Sequence, residues 1–151
     1  MNVLYELIYV SASRRSLLSV ELADLLRKAR VRNTAAGISG MLLFKEGAFL
    51  QILEGDEPKV TETFTRIERD RRHHRVLRLF GGPIERRSFG EWSMGFVDGH
   101  DPSLARFPGF TDFLKSGWSN AATSSRSDRV SAIATQFRDG RWRQAVLPAL
   151  R

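Results

Sequence analysis

In strand geometry the mainly apolar run Val3 to Val10 places Val3, Tyr5, Leu7 and Tyr9 on one side and Leu4, Glu6, Ile8 and Val10 on the other. Such a run, rich in β-formers, predicts a first strand. Ser11 to Ser16 is polar and reads as a turn. Leu22, Leu25, Leu26 and Ala29 then recur at i, i+3, i+4 and i+7, the stripe of an amphipathic helix, with Ser19 placed to cap its start. Arg32 to Gly40 holds Asn33, Gly37 and Gly40 and reads as a loop into a second strand, Met41 to Phe44. Lys45-Glu46-Gly47 has the length and glycine content of a hairpin turn that returns the chain as Phe49 to Leu53. Glu54-Gly55-Asp56 breaks that strand, and Pro58 suits the first turn of a second helix with the stripe Val60, Phe64, Ile67. Arg66 and Asp70 lie four apart along its flank, within pairing reach. Val76 to Phe80 reads as a fourth strand ended by Gly81-Gly82-Pro83, and Phe89 to Val97 as a fifth in which Trp92, Met94 and Phe96 share a face.

The order β-α-β-β-α-β-β predicts an α+β fold, a ferredoxin-like mixed sheet with two helices on one face. The boundary falls near Gly99, dividing a domain of residues 1–99 from an extension of residues 100–151. In the extension, Phe107, Phe110, Phe113 and Leu114 suggest one short helix, and Ser119 to Ser127 is linker-like. Ser127 is placed to cap a final helix in which Val130, Ile133, Ala134 and Phe137 repeat the helical spacing before Gly140 stops it. So small a core does not fold alone. The extension is expected to pack on the sheet face that the other helices leave open, or on a partner chain.

Composition narrows the class. With 42% hydrophobic and 27% charged residues, the 151-residue chain is that of one globular domain with a tail. It has no cysteine, so there is neither a disulfide framework nor a thiolate metal site, which fits a reducing compartment. The N-terminal segment carries Glu6 and no basic leader, and no stretch approaches the ~20 apolar residues of a membrane span, so a cytoplasmic location is expected. The net charge of +7 brings nucleic acid, anionic cofactors and acidic partners into consideration. The arginine pairs Arg14-Arg15, Arg71-Arg72 and Arg86-Arg87 are scattered among acids and read as solvated surface. His73-His74 lies beside Arg71, Arg72 and Arg75, which disfavours a metal cation and points to a surface or helix-end role. No G-x-S-x-G, Walker loop or H-E-x-x-H is present, so nothing marks an enzyme or a metal site.

The chemistry that stands out is a primary amide, Gln51, inside the apolar run Ala48 to Gly55. Buried without partners it would cost about 1–3 kcal/mol. Tyr9 on the first strand and Asn33 ahead of the second are the other polar groups on strand-like elements. Taken singly, Tyr9 would be a strand tyrosine with its hydroxyl in water, Gln51 would be satisfied by backbone, and Asn33 would be a turn residue. Trp92 and Met94 would be core packing, and Arg66 with Asp70 a solvated pair. Their sequence contexts change this. Leu7-Ile8-Tyr9-Val10-Ser11, Arg32 to Leu42, Phe49-Leu50-Gln51-Ile52-Leu53-Glu54-Gly55 and Phe89-Gly90-Glu91-Trp92-Ser93-Met94, in this order and spacing, resemble the BLUF family of flavin-binding blue-light sensors.

The resemblance implies a non-covalent flavin, FAD, with FMN or riboflavin as alternatives. It implies that Tyr9 gives an electron and then a proton to the photoexcited flavin. Gln51, between phenol and flavin, then relays the proton and changes its orientation or tautomer. Asn33 would hydrogen-bond the pyrimidine-like edge, and Arg66 and Asp70 would flank the same ring. Arg32 stands where some relatives have a second asparagine or a histidine, and is held as a further contact. Trp92 and Met94 match a last-strand pair that re-packs as the signal leaves the pocket. The chain is then no enzyme, and its output passes to a downstream effector protein in trans or through changed self-assembly as a homo-oligomer. Elementary chemistry agrees: a phenol with a pKa near 10 is neutral at physiological pH, and an amide offers both donor and acceptor, which a half-turn exchanges. The rival from charge and strand order is a nucleic-acid-binding α+β module, but the paired strand aromatics of such domains are missing. A hydrolase or flavin reductase is a second rival, for which no nucleophile and base can be named.

Overall fold

The computed structural model describes residues 3–13, 19–71, 73–90, 95–98 and 127–140. Strand β1 spans Leu4–Ser13, helix α1 Ser19–Ala36, β2 Ser39–Lys45, β3 Ala48–Asp56, helix α2 Glu57–Glu68, β4 His73–Pro83, β5 Gly95–Asp98 and helix α3 Asp128–Arg138. The strands form one sheet in the order β4-β1-β3-β2-β5. Its first four members pair antiparallel, and β5 adds to β2 in parallel. This is the α+β arrangement expected from the element order, with β1 and β3 at the centre.

The alternation of β1 divides the core in two. Leu7 and Tyr9 face α1 and α2 and share a buried cluster with Leu22, Leu26, Val60 and Phe64. Ile8, Val10 and Ala12 point the other way and pack with Met41, Leu43, Leu50, Ile52 and the Val130, Ala134 and Phe137 stripe of α3. Helix α3 is capped by Ser127, whose side chain accepts from the Val130 N–H. The other helix expected in the extension lies outside the described residues.

Several boundaries differ from the sequence reading. Ser11 to Ser13 continue β1 instead of turning, and Glu54 to Asp56 continue β3. Buried Glu54 is tolerated there because Ser39 Oγ and the Ser88 and Phe89 N–H groups all donate to its carboxylate. Residues 32–36 are helical, so Asn33 occupies the last turn of α1 and not a loop. Gly37, at φ 69°, ends the helix: Ile38 N donates to Asn33 O and Gly37 N to Thr34 O, the two bonds of a Schellman stop. The hairpin is tighter than three residues. Glu46 and Gly47 alone join β2 to β3, both at positive φ (52° and 83°), as a type I′ turn requires. Phe89, read as strand, is a fully buried residue in the bend that precedes β5.

Candidate flavin site

The register places Tyr9 of β1 directly opposite Gln51 of β3, and Gln51 opposite Leu42 of β2. Cross-strand partners share a face, so a phenol and an amide stand side by side under α1 and α2. Both are buried, and Tyr9 Oη–H donates to Gln51 Oε1. Thus the amide in the apolar strand has a phenol as one partner. Burial pushes the Tyr9 phenol above its ordinary range, and the negative charge of Asp70 adds to the shift. Tyr9 is therefore held as a neutral donor. Phe64 of α2 packs against its ring at 5.4 Å between centroids, and His73 lies edge-on at 6.2 Å with an interplanar angle of 74°.

Above this pair is a cleft that opens to solvent, concave and lined largely by apolar surface as cofactor sites are. Helix α1 contributes Leu25, Ala29, Arg32 and Asn33, and the sheet contributes Tyr9, Leu42, Phe49 and Gln51. Thr63, Arg66, Ile67, Asp70 and His73 complete it from α2 to the start of β4. Asn33, Gln51, Thr63 and His73 are buried, whereas Arg32 and Arg66 are exposed. The donor set suits a flavin ring. Aliphatic walls match its apolar faces, and two buried primary amides, one from α1 and one from β3, can meet its alternating carbonyl and N–H edge.

Every one of Tyr9, Gln51, Asn33, Arg66, Asp70 and Arg32 lines this cleft. Asp70 does so from beyond the end of α2, not from its flank, with its N–H donating to Ile67 O. Trp92 and Met94 lie outside the described residues. Of the two roles expected for His73, surface or helix end, it takes the second: it is 8% exposed, its Nε2 lies 2.6 Å from Ile67 O in the last turn of α2, and its Nδ1 lies 2.8 Å from Ser11 Oγ. Thr63, Leu25, Ala29, Leu42 and Phe49 were missed. Leu42 and Phe49 were recoverable from the period-two register around Gln51. Among the described residues no group of His, Asp and Glu is arranged to hold a metal ion.

Comparison with known proteins gives a consistent match. The family described as "Sensors of blue-light using FAD", BLUF, matches residues 4–95. Photoactivated adenylate cyclase subunit alpha of Euglena gracilis is 33% identical over 111 residues, 74% of this chain and 11% of that protein. The chain thus spans about a ninth of the curated relatives it matches. Among solved structures, the dark state of the BLUF protein BlrB superposes with a TM-score of 0.64 at 31% identity, covering 88% of this chain and 98% of that one. Klebsiella pneumoniae BlrP1, with FMN and cyclic diGMP, gives 0.73 at 28% identity, covering 93% and 36%. These matches give no support to a nucleic-acid-binding module.

Proposed function

Because the chain belongs to the BLUF family of flavin-binding blue-light sensors, we propose that Tyr9 and Gln51 are its photoactive pair, and that Asn33, Gln51, Arg66, Asp70 and Arg32 hold the flavin, FAD, in the cleft between α1 and α2. The observation that carries this reading is the bond from the buried Tyr9 phenol to the Gln51 amide at the floor of that cleft. When bound, the flavin supplies absorption of blue light and an excited state that accepts an electron. Tyr9 holds the proton that follows an electron from the same residue, and a phenol that has lost an electron becomes a strong acid. Gln51 Oε1 is in place to take that proton. Once the electron and the proton have returned to Tyr9, a half-turn of the Gln51 amide leaves its donor and acceptor ends exchanged while a hydrogen bond to Tyr9 Oη persists, now with the phenol oxygen accepting. Two arrangements of one neutral side chain therefore store the signal with no net charge left behind.

Signal relay is assigned to Trp92 and Met94, which precede β5 in sequence, and β5 pairs with β2 beside Gln51's strand. The BLUF domain is a sensor and not a catalyst. Its output is proposed to reach a downstream effector protein in trans or to act through self-assembly of this chain, in a cytoplasmic setting. Among the described residues no helix is long and apolar enough to cross a membrane. The test is an absorption spectrum before and after blue light: the protein is expected to be yellow and to show a small red shift that reverts in the dark. Tyr9→Phe is expected to keep flavin and lose the shift. Colourless protein, or a full shift in Tyr9→Phe, overturns the assignment.

A further inference from the structure

His73 poses a problem for the pair beside it. An imidazole is a far better proton acceptor than a carboxamide, and this one sits 6.2 Å from the Tyr9 ring, centroid to centroid, on the same face of the sheet. A base so close would compete with Gln51 for the phenol proton. Both of its nitrogens are engaged elsewhere. Nε2 lies 2.6 Å from the carbonyl oxygen of Ile67, which can only accept, so Nε2 carries the hydrogen. Nδ1 lies 2.8 Å from Ser11 Oγ, and in this tautomer it is the acceptor to which the Ser11 hydroxyl donates. Ser11 is fully buried, two residues beyond Tyr9 on the same strand and face. The clamp joins β1, the end of α2 and β4, and leaves no lone pair of the ring for Tyr9.

We propose that Ser11 is a positioning residue for the photoactive tyrosine: by occupying Nδ1 of His73 it holds the imidazole as an edge-on wall and withdraws it as a rival proton acceptor, leaving the Gln51 amide as the partner of the phenol. The proposal rests on the assignment of Tyr9 and Gln51 above, and names a residue outside the lining of the cleft. Its effect is on the course of the proton, so removing the Ser11 hydroxyl should redirect the reaction without emptying the cleft.

The experiment uses full-length, flavin-loaded protein with ¹⁵N-labelled histidine. In the dark, His73 is expected to show the Nε2–H tautomer with a hydrogen-bonded Nδ1; an Nδ1–H signal overturns the proposal without any variant. Ser11→Thr and Ser11→Val have nearly equal volume and share whatever packing cost the extra bulk brings, so their difference isolates the hydroxyl. Ser11→Thr should keep the wild-type His73 signal and light response. Ser11→Val should move the Nδ1 resonance and lower the yield of the reversible red shift roughly fivefold, the equivalent of one net hydrogen bond. If Ser11→Val changes the histidine signal but matches Ser11→Thr in yield, Ser11 has no positioning role and the Tyr9–Gln51 assignment stands. A full shift in Tyr9→Phe removes that assignment instead, and the role of Ser11 with it.

Discussion

At the scale of single residues, Tyr9 shows how burial prepares a side chain for use. Its phenol is held above the ordinary value of about 10, first by desolvation and then by Asp70. Above pH ~10 the unfolded chain therefore sheds a proton that the native chain keeps, and stability must fall as pH rises through that range. Alkaline titration followed by tyrosinate absorbance is expected to show the Tyr9 component appearing only as the protein unfolds, and Tyr9→Phe to remove it. A Tyr9 that ionises near pH 10 in the folded protein would contradict its burial. The sequence made Tyr9, Asn33 and Gln51 legible because each is a polar group of fixed chemistry in a recognisable context. The burial of His73 beside Tyr9 was not legible, because the arginines around it dominate the composition of the segment. Along an edge strand those charges alternate with inward positions: His73 is buried while Arg75 is exposed. Ser11 was hidden for a related reason. A serine reads as a turn former unless its hydroxyl has a partner, and that partner is 62 residues away.

At the scale of elements, the described helices and the succession of elements along the chain followed from hydrophobic period, whereas strand ends did not. Glu54 ended β3 in the sequence because an acid in an apolar run looks like a break, and only the donors from Ser39, Ser88 and Phe89 show why it stays inside. The last turn of α1 was lost to the turn propensity of Asn33 and Gly37, although Gly37 in fact marks the helix stop. Helix α3 offers two tests. Ser127→Ala removes the acceptor for Val130 N–H and should cost about 1 kcal/mol, read as roughly fivefold faster hydrogen exchange in α3. Glu6 lies beneath this helix, 1% exposed, opposite Glu54 in the sheet and paired with Arg129 at 3.2 Å. Burial raises its pKa from 4.5, Arg129 draws it partly back, and Glu54 raises it further. A raised carboxyl favours the folded state below about pH 4.5, and that contribution is lost as pH climbs through the folded value. Urea unfolding of Glu6→Gln should therefore gain on wild type as pH rises from 4.5 toward neutrality. A pH-independent difference would show that Glu6 does not titrate with folding.

For the whole molecule, the sheet is a single layer with different business on its two faces: the cleft with Tyr9 and Gln51 under α1 and α2, and the apolar cluster under α3. This division makes the effect of the cofactor on stability local as well as global. A ligand that binds only the folded chain stabilises it by RT ln(1 + [L]/Kd), about 2.7 kcal/mol at a hundredfold excess over Kd. Stripping the flavin should thus lower the melting temperature, and titrating FAD back should restore it in proportion to the logarithm of its concentration. The cleft draws its walls from the C-terminal half of α1 and from the segment Thr63 to His73, but not from α3. Hydrogen exchange in dark, flavin-free protein should accordingly accelerate around Asn33 and Asp70 much more than around Val130 and Ala134, whose packing partners are on the opposite face. Equal loosening of α3 and the cleft would mean that the two faces open as one cooperative unit. In that case α3 would already be coupled to the state of the flavin pocket through β1 and β3, before any light is absorbed.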